Sequence, residues 1–274
     1  MQKLGEAGYV LTSREFAFLA ALTGAENIYG IEDDTYALSQ EALKQEWDKV
    51  KGQLEHKKYI EVEIDNSITV DEDLYALIVH CCQPAMFIKC ERKGIGNKRI
   101  SRNFYITREI AVELDEDHLM KRKYALTPLT TPDKVKDNLF ECYQNIDGYE
   151  IADTTIKMPY KTFQEILALI EDSGQDDVVQ RLIAAGCDNE KAMDLYQALE
   201  TKDNYMFTSV LQFLPHSDVQ MSSFSLFGGE KYLWQSNFIE SEEEDVCFHI
   251  RDNTSVLEEV DALVAEINKI YRRW

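Results

Sequence analysis

The sequence predicts an α+β protein: a pseudo-twofold duplication with a central antiparallel β-sheet flanked by two α-helical bundles. Three observations predict it. Between Ala85 and Leu114, Met86, Ile88 and Cys90 alternate with Lys89 and Glu91, and Ile110, Val112 and Leu114 alternate with Glu109 and Glu113, the period of strands with one buried face. Around that stretch lie segments whose apolar residues recur every three or four positions, as in amphipathic helices. The second half of the chain then repeats the first. Phe163 to Leu169 lies on Phe16 to Leu22 without a gap, while Leu195-Tyr196-Gln197-Ala198 and Met206-Phe207 match Leu74-Tyr75-Ala76-Leu77 and Met86-Phe87 at nearly one offset.

The elements follow in order. Leu11-Thr12-Ser13-Arg14-Glu15-Phe16 announces the first helix, with Thr12 and Glu15 at capping-box spacing and Leu11 placed to staple onto Phe16. A polar loop over 25–38 leads to a second helix, 39–56, with Leu43, Trp47, Val50 and Leu54 on its stripe. Stretches 59–64 and 68–70 form a small hairpin about Asp65-Asn66-Ser67, and 71–82 is a third helix with Leu74, Leu77, Ile78 and Cys81 inward, ended by Pro84. The sheet begins at Met86, and Gly94-Ile95-Gly96-Asn97 supplies the turn to a strand over 99–107. Thr131-Pro132-Asp133 starts another helix, cap first and proline at the first helical position. The polar stretch 145–153 divides an N-terminal half, 1–145, from a C-terminal half, 154–274, which repeats the same order and shares the sheet. Strands over 205–213, 219–227, 231–239 and 246–251 follow, with Gly228-Gly229 as a hairpin turn, and the last helix opens at Ser255 with Glu258 completing a capping box.

Composition narrows the partners. The 274 residues are 45% apolar and 29% charged, enough to bury a real core and too apolar for disorder. Fifty acidic residues against 29 basic ones give a formal charge of −21, a field that repels nucleic acid and anionic lipid and favours a monomer or weak dimer, or a basic partner. Cys81, Cys82, Cys90, Cys142, Cys187 and Cys247 form no CxxC pair, Met1 to Glu6 has no apolar signal core, and no run is long enough to span a bilayer. The expectation is a cytoplasmic protein with free thiols and no membrane insertion.

No catalytic pattern emerges. His80, Cys81 and Cys82 are the right residue types for zinc, but neighbours on a helix point about 100° apart and do not converge on one ion. Gly94-Ile95-Gly96 lacks the third glycine and the following helix of a dinucleotide fingerprint. No P-loop, nucleophile elbow, zincin or EF-hand motif occurs, so the reading is a non-enzymatic protein without cofactor or metal. A winged-helix regulator would use the helix at 39–56 and the hairpin at 59–70. Glu41, Glu46, Asp48, Glu55, Glu61, Glu63 and Asp65 on those elements oppose phosphate contact.

Two charge features remain, a basic hairpin tip of Lys89, Arg92, Lys93, Lys98, Arg99 and Arg102 and an acidic run from Glu240 to Asp245; solvated turns that guard sheet edges are the plain reading of both. Leu11-Thr12-x-x-Glu15-Phe16-x-x-Leu19, Val70-Asp71-x-Asp73-Leu74, Ile156-Lys157-Met158-Pro159, Leu182-Ile183-Ala184-Ala185-Gly186-Cys187 and Ala192-x-x-Leu195, with the closing hairpin and helix, resemble the EspG chaperones of ESX, or type VII, secretion systems. That resemblance covers nearly the whole chain as pattern and implies the quasi-twofold fold already expected. It also implies a chaperone or adaptor that binds a helical secreted substrate and keeps it soluble. Carried onto this sequence, the partner-binding positions are Arg92, Lys93, Lys98 and Arg99 at the hairpin and Tyr105, Tyr232 and Trp234 on the sheet. The acidity and the short Gly94 turn depart from the family and leave open whether the substrate is WXG-like or a toxin with a helical targeting region. An antitoxin or immunity protein capping a basic toxin is the other binding reading.

Overall fold

The structure is a computed structural model, described here for residues 8–32, 35–93, 99–116, 123–144, 146, 148–172, 174–201, 204–214, 218–237 and 245–271. The first half runs β1 (Tyr9–Thr12), α1 (Ser13–Leu22), a short 3-10 turn (Thr35–Ala37), α2 (Gln40–His56), β2 (Ile60–Val62), β3 (Ile68–Val70), α3 (Glu72–Cys82), β4 (Met86–Lys93), β5 (Arg99–Ile106), β6 (Ala111–Glu116), β7 (Lys123–Leu129) and α4 (Pro132–Cys142). The second half runs β8 (Thr155–Pro159), α5 (Tyr160–Glu171), α6 (Gln175–Ala184), α7 (Asn189–Thr201), β9 (Tyr205–Phe213), β10 (Val219–Gly228), β11 (Leu233–Asn237), β12 (Asp245–Arg251) and α8 (Asn253–Tyr271). Apart from the β2–β3 hairpin and the 3-10 turn, which belong to the first half alone, the two lists agree element for element.

Ten strands form one antiparallel sheet in the order β1-β7-β6-β5-β4-β9-β10-β11-β12-β8, which reads the same from either end once the halves are exchanged. The seam is the β4–β9 ladder, from Met86↔Gln212 to Lys93↔Tyr205. Taking Met86 to Met206 turns the pair Met86↔Gln212 into Met206↔Arg92, itself a pair of the ladder, so the pseudo-twofold axis passes through Lys89↔Ser209. The hairpins obey the same relation, since Met86↔Ile106 corresponds to Met206↔Leu226.

Strand alternation assigns the two faces. Phe87, Tyr105, Val112 and Leu114 point into the core beneath α1, α2 and α3, and Phe227, Trp234 and Phe248 into the core beneath α5, α6 and α7. Ile88, Cys90, Phe104, Met206 and Leu226 point the other way, under α4 and α8, which pack on each other.

The structure departs from the sequence expectations in several elements. β1 and β8 are edge strands in stretches expected only to lead into helices. β7 carries Pro128, a residue that argues against a strand, and is accommodated because its pairing with β1 ends at Leu126. Glu113, placed on the open face by alternation, is buried under α4, where Asn138 Nδ2 donates to its carboxylate at 2.8 Å and Arg102 stands 3.6 Å away. The turn at Gly94, Lys98, and residues 240–244 of the acidic run lie outside the described residues.

Candidate functional site

The second half leaves part of its sheet uncovered. α5 enters from Pro159 with Phe163 and Ile166 buried against the strands, while Tyr160 and Leu167 on the same helix stay half-exposed. β10 reads VQMSSFSLFG, with no charge over its whole length. Its first residues rise clear of the helices, leaving Val219 55% and Met221 62% exposed, an unusual degree for apolar side chains on a strand.

Between these elements runs an open groove of about 1010 Å³. Tyr160, Phe163 and Leu167 of α5 and Leu199 of α7 form one wall, Tyr205, Phe207, Ser225 and Phe227 the floor, and Ala262 and Leu263 of α8 the far side, with Glu259 and Glu266 at the rim. Alternation places Phe207, Ser225 and Phe227 on the α5 face of the sheet and Phe224 on the α8 face, so the groove touches both faces at the outer part of β10.

Polar groups hold these walls. Glu259 accepts from Gln235 Nε2 at 3.0 and 3.2 Å and pairs with Arg251, fixing the first turns of α8 over β11 and β12. Asp194 of α7, itself buried, accepts from Trp234 Nε1 and from the Lys231 backbone N–H, both at 2.7 Å. Lys231 also reaches Glu190, so α7 is tied to the β10–β11 turn by two carboxylates. Gly229 is required beneath this tie, because a Cβ there would stand 2.1 Å from Asp194 Oδ1.

The residues expected to bind a partner do not form one surface. Arg92 is buried, its Nη1 donates to Cys142 O at 3.4 Å, and desolvation by burial lowers its pKa, so it acts on the last turn of α4. Lys93 lies across the seam from Tyr205 of the groove, and its Nζ donates to Thr201 O at the end of α7 at 3.5 Å. Arg99 pairs with Lys93 in the β4–β5 ladder and is exposed. Tyr105, Tyr232 and Trp234, the sheet positions carried over as partner contacts, are buried. Tyr105 is 0% exposed and its hydroxyl donates to Tyr29 O at 2.6 Å; Trp234 is sealed by Asp194, and Tyr232 packs edge-on against Trp234 at 6.2 Å. Each has a helix or loop over its face of the sheet. The residues that do line the groove, Phe207 and Ser225 among them, were not singled out by sequence. The signal available was the uncharged run of β10.

Nucleophilic chemistry is poorly served. Burial pushes the Cys82 and Cys187 thiols up to about 11, which leaves them protonated at neutral pH. Cys90 is lowered by a hydrogen bond from Cys142, but it is shut beneath α4 beside Thr208, out of reach of a substrate. Among the described residues, no three His, Cys, Asp or Glu side chains gather as metal ligands, and no helix is long and apolar enough to cross a membrane.

No protein-family model matches the chain, and no curated protein matches it. Among solved structures, it is similar to the type VII secretion system chaperone EspG5 of Mycobacterium tuberculosis, solved in complex with the PE25–PPE41 dimer. The TM-score is 0.62 at 12% sequence identity, over 93% of this chain and 95% of that one. At that identity the likeness is one of fold. The ten-stranded sheet with its paired helical bundles is therefore a fold shared with EspG5.

Proposed function

We propose that this chain is a cytoplasmic, non-enzymatic chaperone or adaptor of a type VII (ESX) secretion system. It binds a helical secreted protein, WXG-like or a toxin with a helical targeting region, and keeps it soluble. The open apolar groove of the second half carries this reading. A groove walled by helices and floored by strands suits the apolar face of a helix, and the EspG5 fold is known from a complex with a protein dimer. The formal charge of −21 favours cargo with basic flanks. Lys93 and Arg99, with Lys98 between them in sequence, are the proposed charged contacts beside the groove; Arg92, Tyr105, Tyr232 and Trp234 are buried and are not among its lining.

Co-expression with the small helical proteins and toxins encoded beside this chain, followed by pull-down and size-exclusion chromatography with mass determination, tests the proposal. The expected result is a stable complex that rescues a helical protein insoluble on its own. A folded chain that forms no complex with any of them overturns it. Protection against a basic toxin without any effect on secretion would move the assignment to an immunity protein. Within a complex, Lys93→Glu combined with Arg99→Glu is expected to weaken binding roughly tenfold with an unchanged Tm, measured by titration calorimetry and thermal unfolding.

A further inference from the structure

The two halves treat equivalent strands differently. In the first half, the β4–β5 face is closed by the chain's own segment 25–32. The Tyr105 hydroxyl donates to Tyr29 O at 2.6 Å, and Asn103 Nδ2 donates to Gly30 O at 3.1 Å. Phe87 lies between two rings, with centroids 5.2 Å from Tyr105 and 5.9 Å from Tyr29, and is only 4% exposed. Gly30 has φ +72, and a Cβ there would stand 2.8 Å from both Asn103 and Phe87, so the segment is closely fitted to the strands.

The pseudo-twofold axis carries Phe87 to Phe207, Asn103 to Ser223, Tyr105 to Ser225 and α1 to α5. These second-half residues line the groove, save that of α5 only its inner face does. Here α5 passes to α6 through residues 172–174, where the first half has 23–39 between α1 and α2, so this connection has no length to return to the sheet. Phe207 is half-exposed and has no ring neighbour among the described residues. Ser225 is 1% exposed and its Oγ closes no hydrogen bond of good geometry, although the Tyr205 phenol approaches it. Replacing Tyr105 by serine also removes a ring's volume at that position.

We propose that the groove is the vacant counterpart of a site the chain fills for itself in the first half, and that its occupant is a partner segment of the same chemistry. That segment presents an aromatic side chain against Phe207, followed by glycine or another small residue and an aliphatic one, as in Tyr29-Gly30-Ile31. The inference rests on reading the groove as a partner site and adds which residue types enter it.

The test titrates a capped peptide copying residues 25–32 into the full chain. The expected result is saturable binding, weakened roughly tenfold or more by Tyr29→Ala in the peptide or Phe207→Ala in the protein. Ser225→Tyr, which installs the first-half residue, abolishes binding while the chain stays folded. Non-saturable binding, or full binding to the Ser225→Tyr variant, overturns the inference. A chain that ignores the peptide but still holds a helical cargo retires this inference alone; peptide binding blocked by Ser225→Tyr, with no helical cargo found, retires the secretion reading alone.

Discussion

At the scale of single residues, buried polar groups decide more than the surface charges do. Asp194 satisfies two donors in the core of the second half, so Asp194→Ala strands the Trp234 indole N–H and the Lys231 amide. The expected cost is about 3 kcal/mol, read as a lowered urea midpoint with little change in slope. Glu113 shows the opposite sign. Burial raises its pKa against the pull of Arg102, so the folded protein holds this proton where the unfolded chain has lost it. Stability from this group is therefore fully present below the ordinary glutamate value and falls as pH rises towards the raised one. Glu113→Gln should flatten that part of the stability profile, checked by thermal unfolding between mildly acidic and neutral pH. The sequence showed Glu113 in an alternating strand but could not show that α4 covers its face. The same gap misplaced Tyr105 and Trp234, whose polar atoms find partners far away in sequence, on Tyr29 and Asp194.

Most helix starts were legible, because their signals are local; the exception is α8, which opens at Asn253 with Asp252 accepting the Ser255 amide at 2.8 Å, not at Ser255 with Glu258. The capping box at α1 forms as spaced: Glu15 N–H donates to Thr12 Oγ1 at 3.2 Å, and Glu15 accepts the Thr12 amide at 2.7 Å. Lys57 adds a 2.7 Å ion pair to the buried carboxylate and a 3.0 Å bond to Val10 O, joining α2 to β1. That partner was not legible, since nothing near Glu15 marks a lysine that far along the chain. Short edge strands were equally hidden; β1 and β8 become strands only through their neighbours β7 and β12. The end of α4 is also set from outside: Arg92 and Arg102 donate to Cys142 O and Asn138 O, where the helix dipole favours cations. Arg92→Ala is expected to cost about 1–2 kcal/mol in chemical unfolding, unlike Arg99→Ala, whose exposed side chain should leave stability unchanged.

For the whole molecule, the β4–β9 ladder is what makes two halves one body. Each half gives the other a neighbour for its innermost strand, which would otherwise be a long unguarded edge. Halves 1–145 and 154–274 expressed separately are expected to aggregate, and the intact chain to unfold in one transition. Trp47 and Trp234 report from the two helical bundles, so single-tryptophan variants should give the same urea midpoint. The duplication was legible because Met86-Phe87 and Met206-Phe207 keep nearly the offset that relates the central helices. The groove was not legible, since it arises from a connection that the second half lacks.

That missing connection also fixes a valency. A particle with true twofold symmetry would offer every docking place twice, and a divalent partner could then link such particles into chains. Here residues 25–32 occupy one of the two related positions permanently. On the proposed reading of the groove, each chain therefore takes one such segment at this place.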